Sequence, residues 1–272
     1  MANTKKENGS NGGGMFSGIV ILACIAVGIV VWKFLMGAGY NFKDGISGGE
    51  PLPGNYLAMV YKGGPIVPVL LGCLLMVIVF SVERFMVISK AAGKNNLDAF
   101  MKKVQSNIVA GNIEDAIDAC DKQQGSVANA IRAALVKYQD VKKEGFNSEE
   151  AAETIHKEIE EATSLEMPML EKHMTILSTL VSLGTLAGLL GTVTGMIKAF
   201  GALASAGTPD QALLANGISE ALINTATGIS TSALSIIMYN FFTSKIDTLT
   251  YSIDEAGTAI VNSYRRFKGS LK

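Results

Sequence analysis

Charged residues are absent from four long stretches of the chain. Asp, Glu, Lys and Arg do not occur in Asn8–Trp32, Gly63–Val82, Met174–Ile197 or Ala221–Ser244. Each stretch has about 20 residues or more, the helix length that crosses ~30 Å of hydrocarbon at 1.5 Å per residue. Because the first stretch is continuously apolar only in its later part, its membrane-spanning core is predicted at 15–36. The pattern therefore predicts four transmembrane helices.

Composition agrees with a membrane protein and argues against several other classes. Of the residues, 49% are hydrophobic and 17% are charged, whereas a soluble domain carries roughly 25% charged residues. The net charge of −1 gives no reason to expect a nucleic acid partner. The three cysteines and two histidines lack the spacing of a disulfide framework or a metal site. No cofactor and no metal ion are expected, and the lipid bilayer is the expected environment.

Lys and Arg are concentrated in two of the polar segments. Eleven of them lie in 89–172 and five follow residue 244, whereas the link 199–219 has none. Since such residues are enriched in cytoplasmic segments beside membrane helices, both termini and the 89–172 segment are predicted to be cytoplasmic. The predicted organisation is a disordered cytoplasmic tail (1–14), a transmembrane helix (15–36), a periplasmic loop (37–62), a transmembrane helix (63–88), a cytoplasmic helical region (89–169), two transmembrane helices (170–200 and 217–244) joined by a periplasmic loop (201–216), and a cytoplasmic helical tail (245–272).

The polar segments contain helix signals. They lack the alternating pattern of apolar and polar residues that is typical of strands. Asn112 precedes two acidic residues and is a candidate N-cap, and Asn147 with Glu150 forms a variant of the capping box. Pro168 lacks a backbone N–H and is expected to kink the chain just before the third apolar run. The last apolar run continues in a helical pattern well past membrane length. The fold class is therefore predicted as all-α, with four transmembrane helices and long cytoplasmic helical extensions.

Small residues recur at helical spacing along one face of each of the last two apolar runs. Small residues let membrane helices approach closely, so this face is predicted to pack against a neighbouring helix. The predicted packing residues are Gly184, Gly188, Gly191 and Gly195 in the third run, and Gly217 and Gly228 in the fourth.

Polar side chains lie beside these glycines and are candidates for an ion pathway. They are Ser182, Thr185 and Thr192 in the third run and Asn224 and Thr225 in the fourth. Ordinary contacts between membrane helices also use hydroxyls, at about 0.6 kcal/mol each, so no single residue decides between the two roles. Two helices that both carry polar stripes favour a pathway.

Glu220 is the acidic residue nearest to these stripes, about one turn inside the outer end of the fourth run. An acid within a membrane segment is a candidate for function, because burying its charge costs roughly 2.5–3.5 kcal/mol. The alternative is an interfacial acid that stands in water or pairs with an outer-loop donor. No Asp or Glu occurs deeper in either run. Hydroxyls do not bind protons usefully at neutral pH, so a proton-moving chain of this kind needs a carboxylate from a partner, and sodium is the other candidate ion.

Two segments resemble the MotA/TolQ/ExbB proton-channel family, and its ExbB branch most. They are GLLGTVTGMIKAF at 188–200 and ISEALINTATG at 218–228, with Tyr239-Asn240 following and Glu83-Arg84 resembling an acidic–basic pair of the family. The resemblance implies a homopentamer that encloses an ExbD-like single-span partner whose membrane Asp takes up the proton. It also implies a TonB-like protein that passes the work to the outer membrane, and hence the inner membrane of a Gram-negative bacterium. The family's pore threonines would fall on Thr192 and Thr225, and its hairpin acid on Glu220.

The sequence also departs from this family at several positions. Thr185 and Leu234 stand where relatives often have proline, and Asn224 adds polarity where they are often apolar. The first transmembrane helix is additional to the three-span members, although MotA-like stators have four spans. These departures leave open a sodium-driven motor and a flagellar or gliding stator. A solute transporter or a membrane scaffold is a further alternative, and no residue set indicates an enzyme.

Overall fold

The computed structural model describes residues 12–43, 45–204 and 211–269, and these residues are almost entirely helical. The one β feature among them is an isolated antiparallel bridge between Phe42 and Pro51. The α-helices are α1 (Gly12–Val30), α2 (Tyr56–Tyr61), α3 (Val67–Ala91), α4 (Leu97–Ala110), α5 (Ile113–Gln123), α6 (Ser126–Glu144), α7 (Ser148–Glu171), α8 (Met174–Ala204) and α9 (Gln211–Gly269). Short π and 3-10 turns extend or precede several of them.

Four helical stretches in the described residues are long and apolar enough to cross a membrane. They are Ser17–Met36, Gly64–Ala91, Ser148–Ala204 and Gln211–Gly269. The predicted all-α membrane fold with four spanning helices and long helical extensions is therefore confirmed. α9 alone has 59 residues, about three times the number that crosses the hydrocarbon core. Of the predicted first tail, 1–11 lies outside the described residues, and α1 begins at Gly12.

The structure divides into two compact units. The first unit consists of Met1–Ser81 and His173–Tyr239, and the second of Val82–Lys172 and Asn240–Lys272. In the first unit, α1 packs on α3 through two glycines. A Cβ on Gly28 would lie 2.9 Å from the backbone nitrogen of Gly72, and a Cβ on Gly72 would lie 3.0 Å from Cα of Ile25. Larger side chains at these glycines would separate α1 from α3.

The segment between α1 and α3 folds onto the end of α1. Trp32 stacks on Tyr61 with ring centroids 4.8 Å apart, and its indole nitrogen donates a hydrogen bond to the Tyr61 carbonyl. The buried Asn41 donates to the carbonyls of Leu35 and Met36, at 2.8 and 3.0 Å. These carbonyls belong to the last turn of the helix and lack partners within it, so the asparagine satisfies them. The predicted loop 37–62 is thus held to the first spanning helix by defined contacts.

The second unit has a core built from one face of each of its helices. In α9 the buried positions recur at steps of three and four residues, which places them on a single face. They are Ile246, Leu249, Ile253, Ala256, Ile260 and Tyr264. At the far end, Tyr264 meets Tyr138 of α6 edge to face, with centroids 5.1 Å apart. The C-terminal extension of the last spanning helix therefore packs as part of this unit.

Helix caps in the second unit agree with the sequence analysis in part. Asn147 accepts a hydrogen bond from the Glu150 amide at 2.8 Å, which confirms it as the N-cap of α7. The Glu150 carboxylate accepts from the Asn147 side-chain amide at 3.2 Å rather than from its backbone N–H, as a full capping box would. Asn112 takes the N-cap position of α5, but its side chain makes no capping hydrogen bond.

A break between two helices precedes the third apolar run, a few residues after Pro168. Pro168 lies inside α7, which continues to Glu171. The helix ends instead at Lys172 and His173, where Lys172 has an extended ψ of 135° and His173 a φ of +65°. Losing one backbone hydrogen bond at Pro168 therefore does not end the helix, and the kink at Pro168 stays a prediction.

Arg84 of α3 supplies a physical reason for the end of α7. Its side chain is 1% exposed, and its Nη1 donates to the carbonyls of Met169 and Leu170 at 3.1 and 3.2 Å. Its Nε and Nη2 donate to the Glu83 carboxylate at 3.0 and 2.5 Å. Carbonyls in the last turn lack helical partners and carry partial negative charge, so the guanidinium both satisfies and neutralises them.

We expect Arg84→Met to lower the free energy of unfolding by about 3–5 kcal/mol, because it leaves buried carbonyls and one carboxylate without their cation. Arg132→Met is the matched control. Its ion pair with Asp121 is about half exposed, so the loss there should stay below about 1 kcal/mol. Denaturant titration in detergent micelles measures both. Equal stability of the two variants would contradict this role for Arg84.

Candidate ion pathway

Glycines hold α8 and α9 at backbone contact in the first unit. A Cβ on Gly228 would lie 2.8 Å from Cα of Gly188, and a Cβ on Gly195 would lie 2.8 Å from the Ala221 nitrogen. The opposing atoms are backbone, so no side chain can move aside. All six glycines that the sequence assigned to packing are buried, and the structure places each of them against the other helix of this hairpin: Gly184, Gly188, Gly191, Gly195, Gly217 and Gly228.

Two pairs of hydroxyls lie beside this glycine seam. Thr192 of α8 hydrogen-bonds to Thr225 of α9. Two helical turns away, Thr185 donates to the Ser232 hydroxyl at 2.9 Å. Because the two helices are antiparallel, the step from Thr192 back to Thr185 in α8 matches the step from Thr225 forward to Ser232 in α9, and both are seven residues long. Ser232 belongs to this row although the sequence analysis did not place it among the candidates.

The hydroxyl row reaches the surface of the single chain. Thr185 and Ser182 are exposed, Thr192 and Thr225 are half-buried, and Ser232 is buried. Each threonine hydroxyl also lies within hydrogen-bonding distance of the carbonyl four residues earlier, at 3.2 Å for Thr192 and 3.1 Å for Thr225. Because a hydroxyl has one proton, only one of the two can donate to its carbonyl while the other donates across the pair. Neighbouring positions on the same side are apolar and exposed, such as Leu189 and Ile229. The arrangement is a line of neutral oxygen atoms on an apolar surface.

The remaining two candidates, Glu220 and Asn224, lie on a different face of α9. Asn224 is fully buried, and its Nδ2 donates to the Gly63 carbonyl at 2.8 Å. Glu220 lies against Gly64, where any added Cβ would meet its carboxylate. One turn further out, Asn216 accepts a hydrogen bond from Lys62 at 3.3 Å. These three positions, four residues apart, bind the chain just ahead of α3 rather than line the hydroxyl row.

Glu220 also has a cationic partner that the sequence analysis missed. Lys198 of α8 donates to its carboxylate at 2.5 Å, and their side chains are 53% and 12% exposed respectively. This is close to the alternative left open above, in which the acid pairs with a donor at the outer end. The signal was present in the sequence, because Lys198 and Glu220 stand at matching depths of an antiparallel hairpin and have opposite charges.

Asn224 leaves one polar atom unaccounted for. Its Oδ1 is buried and has no hydrogen-bond partner among the described residues. The Cβ and amide of Asn224 pack directly against Gly191, which leaves no room for a side chain there. Within the described part of the chain, no group of three or more acidic, histidine or cysteine side chains could hold a metal ion. The chemistry available in this part of the hairpin is that of hydroxyls, the amides of Asn216 and Asn224, and the Lys198–Glu220 ion pair.

Comparison with known proteins finds one matching family. Residues 127–255, a little under half of the chain, match the MotA/TolQ/ExbB proton channel family. This part of the chain is similar to that family. The matched residues include most of α6, all of α7 and α8 and the first part of α9, and therefore every candidate pathway residue. The first spanning helix lies outside the match.

Individual relatives of this family carry two kinds of name. The chain is 29% identical to the Tol-Pal system protein TolQ of Pseudomonas aeruginosa over 58% of its own length and 69% of TolQ. It is 32% identical to the ExbB-like 3 protein of a Synechocystis species, over 40% of its own length and 53% of that protein. It is 28% identical to the biopolymer transport protein ExbB of Xanthomonas campestris, over 54% and 64%. The chain thus spans about half to two thirds of these relatives, which do not separate ExbB from TolQ.

We expect Gly228→Ala to destabilise the protein by about 1–3 kcal/mol, since the new Cβ would force two backbones apart. Gly201→Ala is the control in α8, because a Cβ there has nothing within 4 Å and should leave stability unchanged or slightly raised. Thermal unfolding in micelles compares the two. A Gly228→Ala protein as stable as the control would show that the seam is not tightly packed.

A double-mutant cycle on Lys198 and Glu220 tests the ion pair. With Lys198→Gln, Glu220→Gln and the double variant, we expect a coupling energy of about 1–3 kcal/mol, because the carboxylate is largely buried. The control cycle uses Lys157 and Glu161, an exposed pair at 3.7 Å, where about 0.3–0.5 kcal/mol is expected. Coupling no larger than that of the control would mean that Glu220 does not depend on Lys198.

Proposed function

We propose that the chain is the ion-channel subunit of an energy-transducing motor in the inner membrane of a Gram-negative bacterium. The motor couples the proton motive force, through an ExbD-like partner, to TonB-dependent transport across the outer membrane. The observation that carries this proposal is the row of paired hydroxyls beside the glycine seam, Thr185 with Ser232 and Thr192 with Thr225, next to exposed apolar side chains such as Leu189 and Ile229.

The chemistry of the hydroxyl row determines which step of proton transfer this chain performs and which step its partner performs. Hydroxyls donate and accept hydrogen bonds and so can hydrate or relay a proton, but they do not hold one at neutral pH. No acid occurs between Ala221 and Ser244 or between Met174 and Ile197. The proton-binding carboxylate is therefore assigned to a single-span partner with a membrane Asp. Five copies of the chain surround that partner, with both termini in the cytoplasm and a TonB-like protein receiving the work.

The candidate residues take separate roles in this proposal. Thr192 and Thr225 lie at the narrowest part of the proton path, and Thr185 and Ser182 extend it along α8. The glycine seam keeps the hairpin rigid and its row of hydroxyls straight. A partner helix can then rotate against a surface without bulky protruding side chains. Glu220 and Asn224 hold the outer end of the hairpin to the start of α3. The pairing with Lys198 offsets the negative charge of Glu220 and argues for a structural role of this residue.

The same motor serving the Tol-Pal system is the second candidate. It is favoured by the TolQ relative, whose match covers a larger share of its length than the ExbB matches do. The two differ in the phenotype of a deletion. Loss of siderophore uptake indicates the TonB system, whereas outer-membrane blebbing and detergent sensitivity indicate the Tol system. Loss of motility alone would point to a MotA-like stator.

Thr192→Val combined with Thr225→Val tests the pathway. Valine keeps the shape and removes both hydroxyls, so we expect siderophore uptake to fall to the level of a deletion strain while assembly persists. Thr179→Val with Thr227→Val is the matched control, because these hydroxyls donate to carbonyls of their own helices. The control should transport normally. Full uptake by the Thr192/Thr225 variant would remove the proposed pathway.

The coupling ion is measured in the same strains. Uptake that collapses with a protonophore at constant sodium gradient supports proton coupling. Uptake that survives the protonophore and fails when the sodium gradient is abolished would assign the motor to the sodium-driven branch instead.

A further inference from the structure

A cavity of about 510 Å³ lies in the second unit between the end of α3, the start of α4 and the middle of α9. Its volume is within the roughly 300–1,000 Å³ of small-molecule sites in proteins. Nothing in the proposed ion pathway uses it, because the pathway residues belong to the first unit. The residues that line the cavity form an apolar group and a polar group.

The apolar wall of the cavity is aromatic and partly open. Phe85 and Phe241 are 58% and 43% exposed, while Phe242 is buried and meets Phe241 edge to face at 5.3 Å between centroids. Ile88 and Leu249 complete the wall. Phe85, Ile88, Phe241 and Phe242 lie within the predicted membrane segments 63–88 and 217–244. An exposed aromatic wall at the end of two membrane segments suits a hydrocarbon chain.

The polar side of the cavity carries one cation and one anion. Lys245 comes directly after the last charge-free stretch, and its Nζ lies 5.9 Å from the centroid of the Phe241 ring. Asp98 lies in the first turn of α4. Both side chains are exposed, and neither has an ion-pair partner within residues 12–43, 45–204 and 211–269. No other lining residue is charged, so the cavity presents a separated pair of opposite charges.

We propose that this cavity binds one phospholipid of the bilayer with a zwitterionic phosphatidylethanolamine headgroup. An acyl chain lies against Phe85, Phe241 and Phe242. The phosphate oxygens accept charge-assisted hydrogen bonds from Lys245, and the ethanolammonium donates to Asp98. The headgroup matches the site in charge, with one group of each sign, whereas an anionic headgroup would leave the Asp98 carboxylate opposite a like or neutral group.

The lipid selectivity follows from the hydrogen-bonding capacity of the headgroup. A primary ammonium has three N–H donors for the Asp98 carboxylate, whereas the trimethylammonium of phosphatidylcholine has none. Both lipids carry the same phosphate for Lys245. Exposed charge pairs contribute up to about 1 kcal/mol, which corresponds to a roughly two- to fivefold preference for phosphatidylethanolamine.

Native mass spectrometry of the full-length, delipidated protein in detergent tests the site. The probe is an equimolar mixture of phosphatidylethanolamine, phosphatidylcholine and phosphatidylglycerol with identical acyl chains. We expect phosphatidylethanolamine adducts to exceed the others roughly two- to fivefold. Asp98→Asn should abolish the preference over phosphatidylcholine but keep binding, and Lys245→Gln should lower the adducts of all three lipids.

Lys90→Gln and Asp247→Asn are matched controls, since both residues are exposed and neither lines the cavity. They should bind lipid as the unaltered chain does.

An unchanged preference in Asp98→Asn overturns the proposal, as does a stronger signal for phosphatidylglycerol in the unaltered chain. Phe85→Ser tests whether a second copy of the chain, rather than a lipid, occupies the cavity. Loss of lipid adducts with the oligomer intact supports a lipid, whereas a changed oligomeric state with adducts retained would assign the cavity to a second copy of the chain.

Discussion

Close contact between the backbones of α8 and α9 is the constraint on which the candidate site depends. In a membrane there is little hydrophobic driving force between helices, so packing of this kind decides which faces meet. With Gly188 against Gly228 and Gly195 against Ala221, the rotation of both helices about their axes is fixed. Thr192 and Thr225 then fall beside the seam and reach each other. Larger residues in the seam would place these hydroxyls too far apart to bond.

The same rotation gives α9 a second polar face with a different task. Asn224 and Thr225 are adjacent in sequence, and a step of about 100° separates them around the helix. Thr225 therefore reaches α8, while Asn224 reaches the Gly63 carbonyl ahead of α3. α3 in turn packs on α1 through Gly72 and Gly28. A continuous set of contacts thus leads from the first spanning helix to the Glu220 end of the hairpin, which gives that helix a structural role.

The sequence predicted the features that depend on composition and period, and missed those that depend on partners distant in the chain. Charge-free runs predicted four spans because hydrocarbon excludes charge wherever the helix lies. The steps of three and four predicted the glycine face. The pairing of Lys198 with Glu220 was missed, because it depends on a contact across the hairpin. The end of α7 beyond Pro168 was missed as well, because Arg84 of α3 binds the carbonyls of its last turn.

The energetics of these polar groups favour a channel wall without its own acid. Hydroxyl pairs between membrane helices contribute only about 0.6 kcal/mol each, and they bring no charge into the hydrocarbon. An unpaired carboxylate at mid-depth would cost roughly 2.5–3.5 kcal/mol in every copy. Glu220 avoids this cost by lying near the end of the span and pairing with Lys198. In the proposed motor, a ring of such chains inserts into the membrane with an uncharged inner surface. The carboxylate that binds the proton is contributed by the rotating partner.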